Sequence, residues 1–114
     1  MQKPKISIDE FNKIEVKVGT VQSAGRVPET DKLLRLTVDF NEEAGPRQII
    51  SGIAAYVPEP ESLVGRQLAF VTNIEPRMIR GLESNGMLLA VCSNDESFAF
   101  LVPDREVPPG TSAH

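Results

Sequence analysis

From Ile14 to Val27 the chain reads IEVKVGTVQSAGRV, with Ile14, Val16 and Val18 at alternate positions. Period-two alternation is the pattern of a half-buried strand. The phase slips after Gly19, where Val21 becomes the apolar residue, which predicts a bulge or sharp bend. A long strand bent at a glycine can belong to two sheets, and that points to a small closed barrel. The stretch KLLRLTVDF alternates again, placing Leu34, Leu36, Val38 and Phe40 on one face, with Lys32 ending the preceding turn.

The remaining segments are short. NEEAGPRQ has the composition of a connecting loop. IISGI reads as a third strand interrupted at Ser51-Gly52, and VPEPESLVG as a turn with one helical turn near its end. QLAFVTNI predicts a fourth strand, GMLLAVC a fifth and SFAFLV a shorter sixth. Near the start, Ser7 and Glu10 have capping-box spacing, which predicts a short helix through Phe11 and Asn12. The tail PDREVPPGTSAH is Pro-rich and extended. Many short strands and little helix predict an all-β fold: an OB-type five-stranded barrel with short flanking helices and an extended C-terminal segment. With no internal repeat or interior linker, residues 1–114 are expected to form one domain, with 1–6 as a flexible lead.

Composition narrows the chemistry. The 114 residues fit one small core, and 40% hydrophobic with 25% charged residues is ordinary for a soluble globular domain. No apolar run approaches the ~18 residues of a membrane span, and the first residues do not read as a signal peptide. A cytoplasmic location and no membrane association are therefore expected. One cysteine, Cys92, leaves no internal disulfide and no cysteine-based metal site; the lone histidine is His114. Cys92 lies in an apolar run and is expected to pack as a small buried hydrophobe. GLESNG lacks the Lys-Ser/Thr pair of a phosphate-binding P-loop. No catalytic set, metal or cofactor is expected.

The stretch with chemical potential is NIEPRMIRGLESNGMLLA, residues 73–90. Arg77 and Arg80 share a loop bounded by Pro76 and Gly81, and a guanidinium fork grips phosphate oxygens and stacks on bases. Asn73 and Ser84 offer short polar groups for a base edge or a ribose hydroxyl. On an OB barrel, function sits on the outer face and loops. The plainer reading is that these arginines pair with Glu75 and Glu83, at ~0–1 kcal/mol per surface pair, and that Met78, Ile79 and Met87 are core. The net charge of -4 also works against phosphate binding, and the stretch itself is neutral, with two arginines and two glutamates. One Tyr, five Phe and no Trp leave few stacking platforms, which favours a shaped RNA over a general single strand.

The segments FNKIEVKVGTV, DKLLRLTVD, RQIISGIAAY, LVGRQLAFVTNIEPRMIRGLESNGMLLA and LVPDREVPPG together resemble the tRNA-binding domain family, over roughly residues 8–110. That family includes the C-terminal domain of bacterial methionyl-tRNA synthetases, the beta subunit of archaeal ones, stand-alone tRNA-binding proteins and endothelial monocyte-activating polypeptide-like domains. The resemblance implies a non-catalytic module that binds tRNA by shape and backbone. It would assist a synthetase, methionyl above all, in cis or in trans, with the catalytic domain as a partner. It also implies a homodimer joined by segments outside the barrel. Carried over by position, the tRNA contacts are Lys32, Asn73, Arg77, Arg80, Ser84 and Met87, with Arg35 and Ser51 on the same face. Gly81 and Gly86 would shape the loop that holds Ser84, and Met87 would become an apolar contact at its rim.

Two other functions fit the same resemblance. A dimerisation or scaffold module with weak RNA binding suits the acidic balance. An export-chaperone-like relative would bind unfolded peptide in an apolar groove, but that branch lacks the full Arg-Gly-x-Glu-Ser loop.

Overall fold

A computed structural model describes residues 2–94 and 97–114. Helix α1 (Ile8–Phe11) is followed by β1 (Val16–Arg26), β2 (Leu34–Asp39), β3 (Arg47–Ser51) and β4 (Gln67–Val71). Then come β5 (Arg77–Ile79), β6 (Leu82–Ser84), β7 (Met87–Leu88), β8 (Ala90–Cys92), β9 (Phe98–Phe100) and β10 (Ser112–Ala113). Short 3-10 turns at Ala54–Tyr56 and Pro60–Leu63 span the gap between β3 and β4. The start of α1 follows the capping logic: the Ser7 hydroxyl oxygen accepts the Glu10 N–H at 3.1 Å.

The main sheet is antiparallel in the order β3-β2-β1-β4-β7, with β10 on the second edge of β1. The long β1 strand does serve two partners. Residues 16–20 pair with β4 and residues 20–26 with β2. The sheet curls until β3 meets the chain around Ser84–Gly86, where Asn85 N–H donates to the Gln48 carbonyl at 2.8 Å. The result is a nearly closed five-strand barrel of the OB type, as the strand pattern implied.

The irregularity in β1 lies later than expected. Val21 pairs with Val38 and Ser23 with Thr37, so Gln22 is the extra residue, not Gly19. Gly19 has a different reason to be glycine: an added Cβ would collide with Val38 and lie 2.6 Å from the Phe40 ring. The register also corrects which face is core. Gly19 and Val21 stand opposite Leu68 and Val38, both fully buried, whereas Val16 and Val18 line up with Val71 and Ala69 on the other face. The core itself gathers Val21, Leu34, Leu36, Val38, Ile49 and Leu68 around Phe40 and Phe70, whose rings meet edge to face at 5.4 Å.

Three further expectations are revised. Cys92 is exposed, because the predicted fifth strand breaks at Leu89 and its second half, β8, leaves the barrel to pair with β9. Residues 77–84 are a β-hairpin and not an irregular loop. Arg47 opens β3, although NEEAGPRQ reads as a connection. The tail is held by Gln67, whose amide nitrogen donates to the Val107 carbonyl at 2.6 Å while its oxygen accepts the Val107 N–H at 3.0 Å.

Candidate nucleic-acid interface

The β5–β6 hairpin turns on two residues, Arg80 at φ 52° and Gly81 at φ 80°. Positive φ at both central positions is the backbone of a type I′ turn, whose twist matches that of the flanking strands. Gly81 takes this conformation freely. Arg80 holds a long side chain in a left-handed well, at a cost of about 1 kcal/mol. In the hairpin, Arg77 pairs with Ser84 and Ile79 with Leu82 on one side, while Met78 and Glu83 share the other. Met78 is 69% exposed, so it is not core.

Ser84 is 3% exposed and does not reach the surface. Its hydroxyl oxygen accepts the Ile50 N–H at 3.0 Å and the same hydroxyl donates to the Gly86 carbonyl at 3.2 Å. This joins the hairpin edge to β3. A lateral row results: Gly25 opposite Arg35, Arg35 opposite Ile50, Ile50 bonded to Ser84, and Ser84 opposite Arg77. Three inter-strand steps separate Arg35 from Arg77, roughly 14 Å at the usual strand spacing. Both arginines are exposed, and Arg80 stands at the hairpin tip.

The other carried-over residues lie around this row. Ser51 ends β3 opposite Leu34, one position along from the row, and is half-buried. Lys32 is exposed two residues before β2, its carbonyl accepting the Ala54 N–H at 3.1 Å. Asn73 is engaged elsewhere. Its oxygen accepts Glu15 N–H at 2.8 Å and its nitrogen donates to the Lys13 carbonyl at 2.6 Å. The segment after α1 is thereby stitched to the end of β4. Met87 lies on the outer face, opposite Val71 and aligned with Val16. The structure thus sets exposed Arg35 and Arg77 at the two ends of this row, with Ser84 buried between them and Arg80 at the hairpin tip. Ser51 does not share the face of Arg35: it stands opposite the core residue Leu34, on the other side of the sheet. Asn73 is taken up by Glu15 and Lys13, and Met87 pairs with Val71 at the far edge of β4.

Two features carried no signal in the sequence. Arg47 forms a fork on Glu42, Nε to Oε1 at 2.8 Å and Nη2 to Oε2 at 2.7 Å, and its Nη1 donates to the Thr72 carbonyl at 2.8 Å. The hydrogen bonds from Arg47 hold the Glu42 carboxyl below its ordinary range, against the opposing effect of burial. Second, Tyr56 stacks on Phe98 at 4.4 Å and 3°, Phe98 meets Phe100 edge on, and the Arg66 guanidinium lies 5.3 Å over Phe100. Tyr56 and Phe98 are far apart in sequence, and only folding unites them.

A small OB-type barrel that carries exposed arginines on β2 and on a projecting hairpin has the architecture of a binding domain, and the family comparison agrees. The chain belongs to the putative tRNA-binding domain family, whose model matches residues 16–112. It is 44% identical over 106 residues to the methionine–tRNA ligase of Bacteroides fragilis, a match covering 93% of this chain and 15% of that protein. It is 50% identical over 109 residues to that of Methanothrix thermoacetophila, covering 96% of this chain and 16% of the ligase. The chain therefore spans only about a sixth of the length of these curated relatives. Among solved structures, the methionyl-tRNA-synthetase-related protein of Pyrococcus horikoshii superposes with a TM-score of 0.89 at 37% identity, covering 98% of this chain and 100% of that one. The chaperone CsaA of Bacillus anthracis superposes with a TM-score of 0.84 at 28% identity, covering 97% and 100%.

Proposed function

We propose that this chain binds tRNA through the Arg35–Arg77–Arg80 belt, by shape and backbone, and raises the affinity of a methionyl-tRNA synthetase for its substrate. The observation that supports this best is the row linking Arg35 to Arg77 through Ile50 and the buried Ser84. It fixes the backbone positions from which the two arginines project, so the cost of ordering on binding is confined to the side chains. Tethered to or associated with a catalytic domain, the module makes the second tRNA contact effectively intramolecular. The setting of such work is the cytoplasm. The test is a fluorescence-anisotropy titration of labelled tRNA at several salt concentrations. Saturable binding with log affinity falling as log salt rises is expected; no binding at low salt would sink the reading.

A homodimer accompanies this function. The supporting observations are apolar residues exposed on elements outside the barrel: Ile8 and Phe11 on α1, Val91 on β8, and Leu101 just past β9. Sedimentation equilibrium tests it, with a monomer at all concentrations as the contrary result.

One alternative has its own support. The likeness to the CsaA chaperone, together with exposed Met78, Val91 and Leu101, favours a peptide-binding role. Under that reading the protein suppresses aggregation of a denatured client and tRNA does not compete.

A further inference from the structure

We propose that Arg47 is a positioning residue for the RNA-binding hairpin, an inference that rests on the tRNA-binding reading above. Residues 73–83 leave the barrel after Thr72, and the chain rejoins it at Ser84 and Asn85. A single guanidinium nitrogen, Arg47 Nη1, donates to both of those carbonyls, to Thr72 at 2.8 Å and to Asn85 at 3.4 Å. The exit and the return of the arm are thus tied to one group. The opposite edge of the same guanidinium is locked on Glu42 by two bonds, and its plane lies 5.4 Å over Phe40, a core ring. The fork therefore refers the base of the arm to the barrel core. The neighbouring Gln48 adds a parallel tie, its amide donating to the Glu83 carbonyl at 2.9 Å.

Arg47 is half-buried, and four of its five guanidinium N–H donors point at protein acceptors, so neither edge of the fork is open to a bidentate phosphate. Its effect on RNA must pass through the position of Arg77 and Arg80. A lysine keeps the charge but presents a point donor on a flexible stem, which cannot hold the Glu42 carboxylate bidentately while spanning two carbonyls.

The experiment compares the parent with R47K, E42Q and R77A in two measurements: hydrogen exchange of the 77–84 amides, and tRNA titration across salt. For R47K, arm exchange should accelerate roughly ten-fold or more while β1 and β2 amides stay protected. Affinity for tRNA should fall roughly five-fold or more, with the salt slope unchanged, whereas R77A should lower the slope by about one unit. In a further variant, R47Q, which removes the charge that R47K keeps, a slope lowered by about one unit would mean that Arg47 meets phosphate itself, and would overturn the proposal. Unchanged arm exchange, or faster exchange with unchanged affinity, would overturn it as well. Should R47K not fold, E42Q decides by the same criteria, since it removes the anchoring charge and leaves Arg47 in place. If the parent binds no tRNA, the functional reading fails, and arm exchange alone still decides whether Arg47 orders the hairpin.

Discussion

The Ser84 hydroxyl and the Ile50 amide, 3.0 Å apart and buried, close the barrel where two strands would otherwise leave a gap. A side chain stands in for a ladder carbonyl here, and the chain then bends at Gly86, φ 133°, two residues after the end of β6. Replacing Ser84 by Ala strands the Ile50 N–H without a partner. Such a loss costs about 1–3 kcal/mol, so S84A should unfold at lower denaturant with an unchanged m-value. Its tRNA salt slope should match the parent's, because no phosphate contact is removed. A stable S84A with a reduced slope would instead make Ser84 a direct RNA contact.

Arg77 sits at the open end of the same row, exposed and without an ion pair among the described residues. Its guanidinium is available to a phosphate. R77A should weaken tRNA binding and flatten the dependence of log affinity on log salt by about one unit. Stability should move by no more than about 0.5 kcal/mol, as at an ordinary surface position. An unchanged slope would remove Arg77 from the interface.

Arg80 offers a test in which stability and binding move in opposite directions. Its φ of 52° suits Asn or Gly far better than Arg. R80N should therefore leave the fold as stable as the parent or raise it by up to about 1 kcal/mol. Affinity for tRNA should nevertheless fall, through loss of one charged tip contact. Thermal melts alongside anisotropy would show the pair of effects. Equal affinity in R80N would mean that the arginine at this turn serves no ligand.

How far the sequence reveals these relationships depends on the range of each. Local alternation announces β1 and β2, the short run QLAFVTNI announces β4, and the Ser7–Glu10 spacing announces α1, since those signals need only neighbours. The family resemblance brings Arg77, Arg80 and Lys32 to attention. What stays hidden is long-range. Ser84 reads as a surface hydroxyl because its partner, Ile50, lies 34 residues away. Asn73 reads as free because its partners are 58 and 60 residues away. Cys92 reads as buried because its apolar run gives no sign that the chain leaves the barrel at Leu89. Arg-Gly at 80–81 holds a readable hairpin signal, but it is weaker than Asn-Gly or Asp-Gly, the favoured I′ pairs.

Glu42 links this architecture to pH. Its carboxyl is held below an ordinary value of 4.5, first by hydrogen bonds from Arg47, with burial opposing and the Arg47 charge assisting. Arg47 is correspondingly raised, by its hydrogen bonds to Glu42 first, and stays protonated throughout the acid range. The unfolded chain lacks the pair, so its Glu42 takes up a proton at higher pH than the folded protein does. The stabilisation is thus complete above about 4.5 and disappears as pH falls through the lower folded value. Denaturant unfolding of the parent should show stability dropping in that acid window. E42Q, which has no carboxyl to titrate there, should be less stable at neutral pH and show a shallower drop on acidification. Parallel curves for parent and E42Q would show that the Arg47–Glu42 fork contributes nothing to acid stability. If instead the two curves converge at low pH, the protonated parent has lost what E42Q lacks at every pH, and the ionised Arg47–Glu42 fork is the source of that part of the stability.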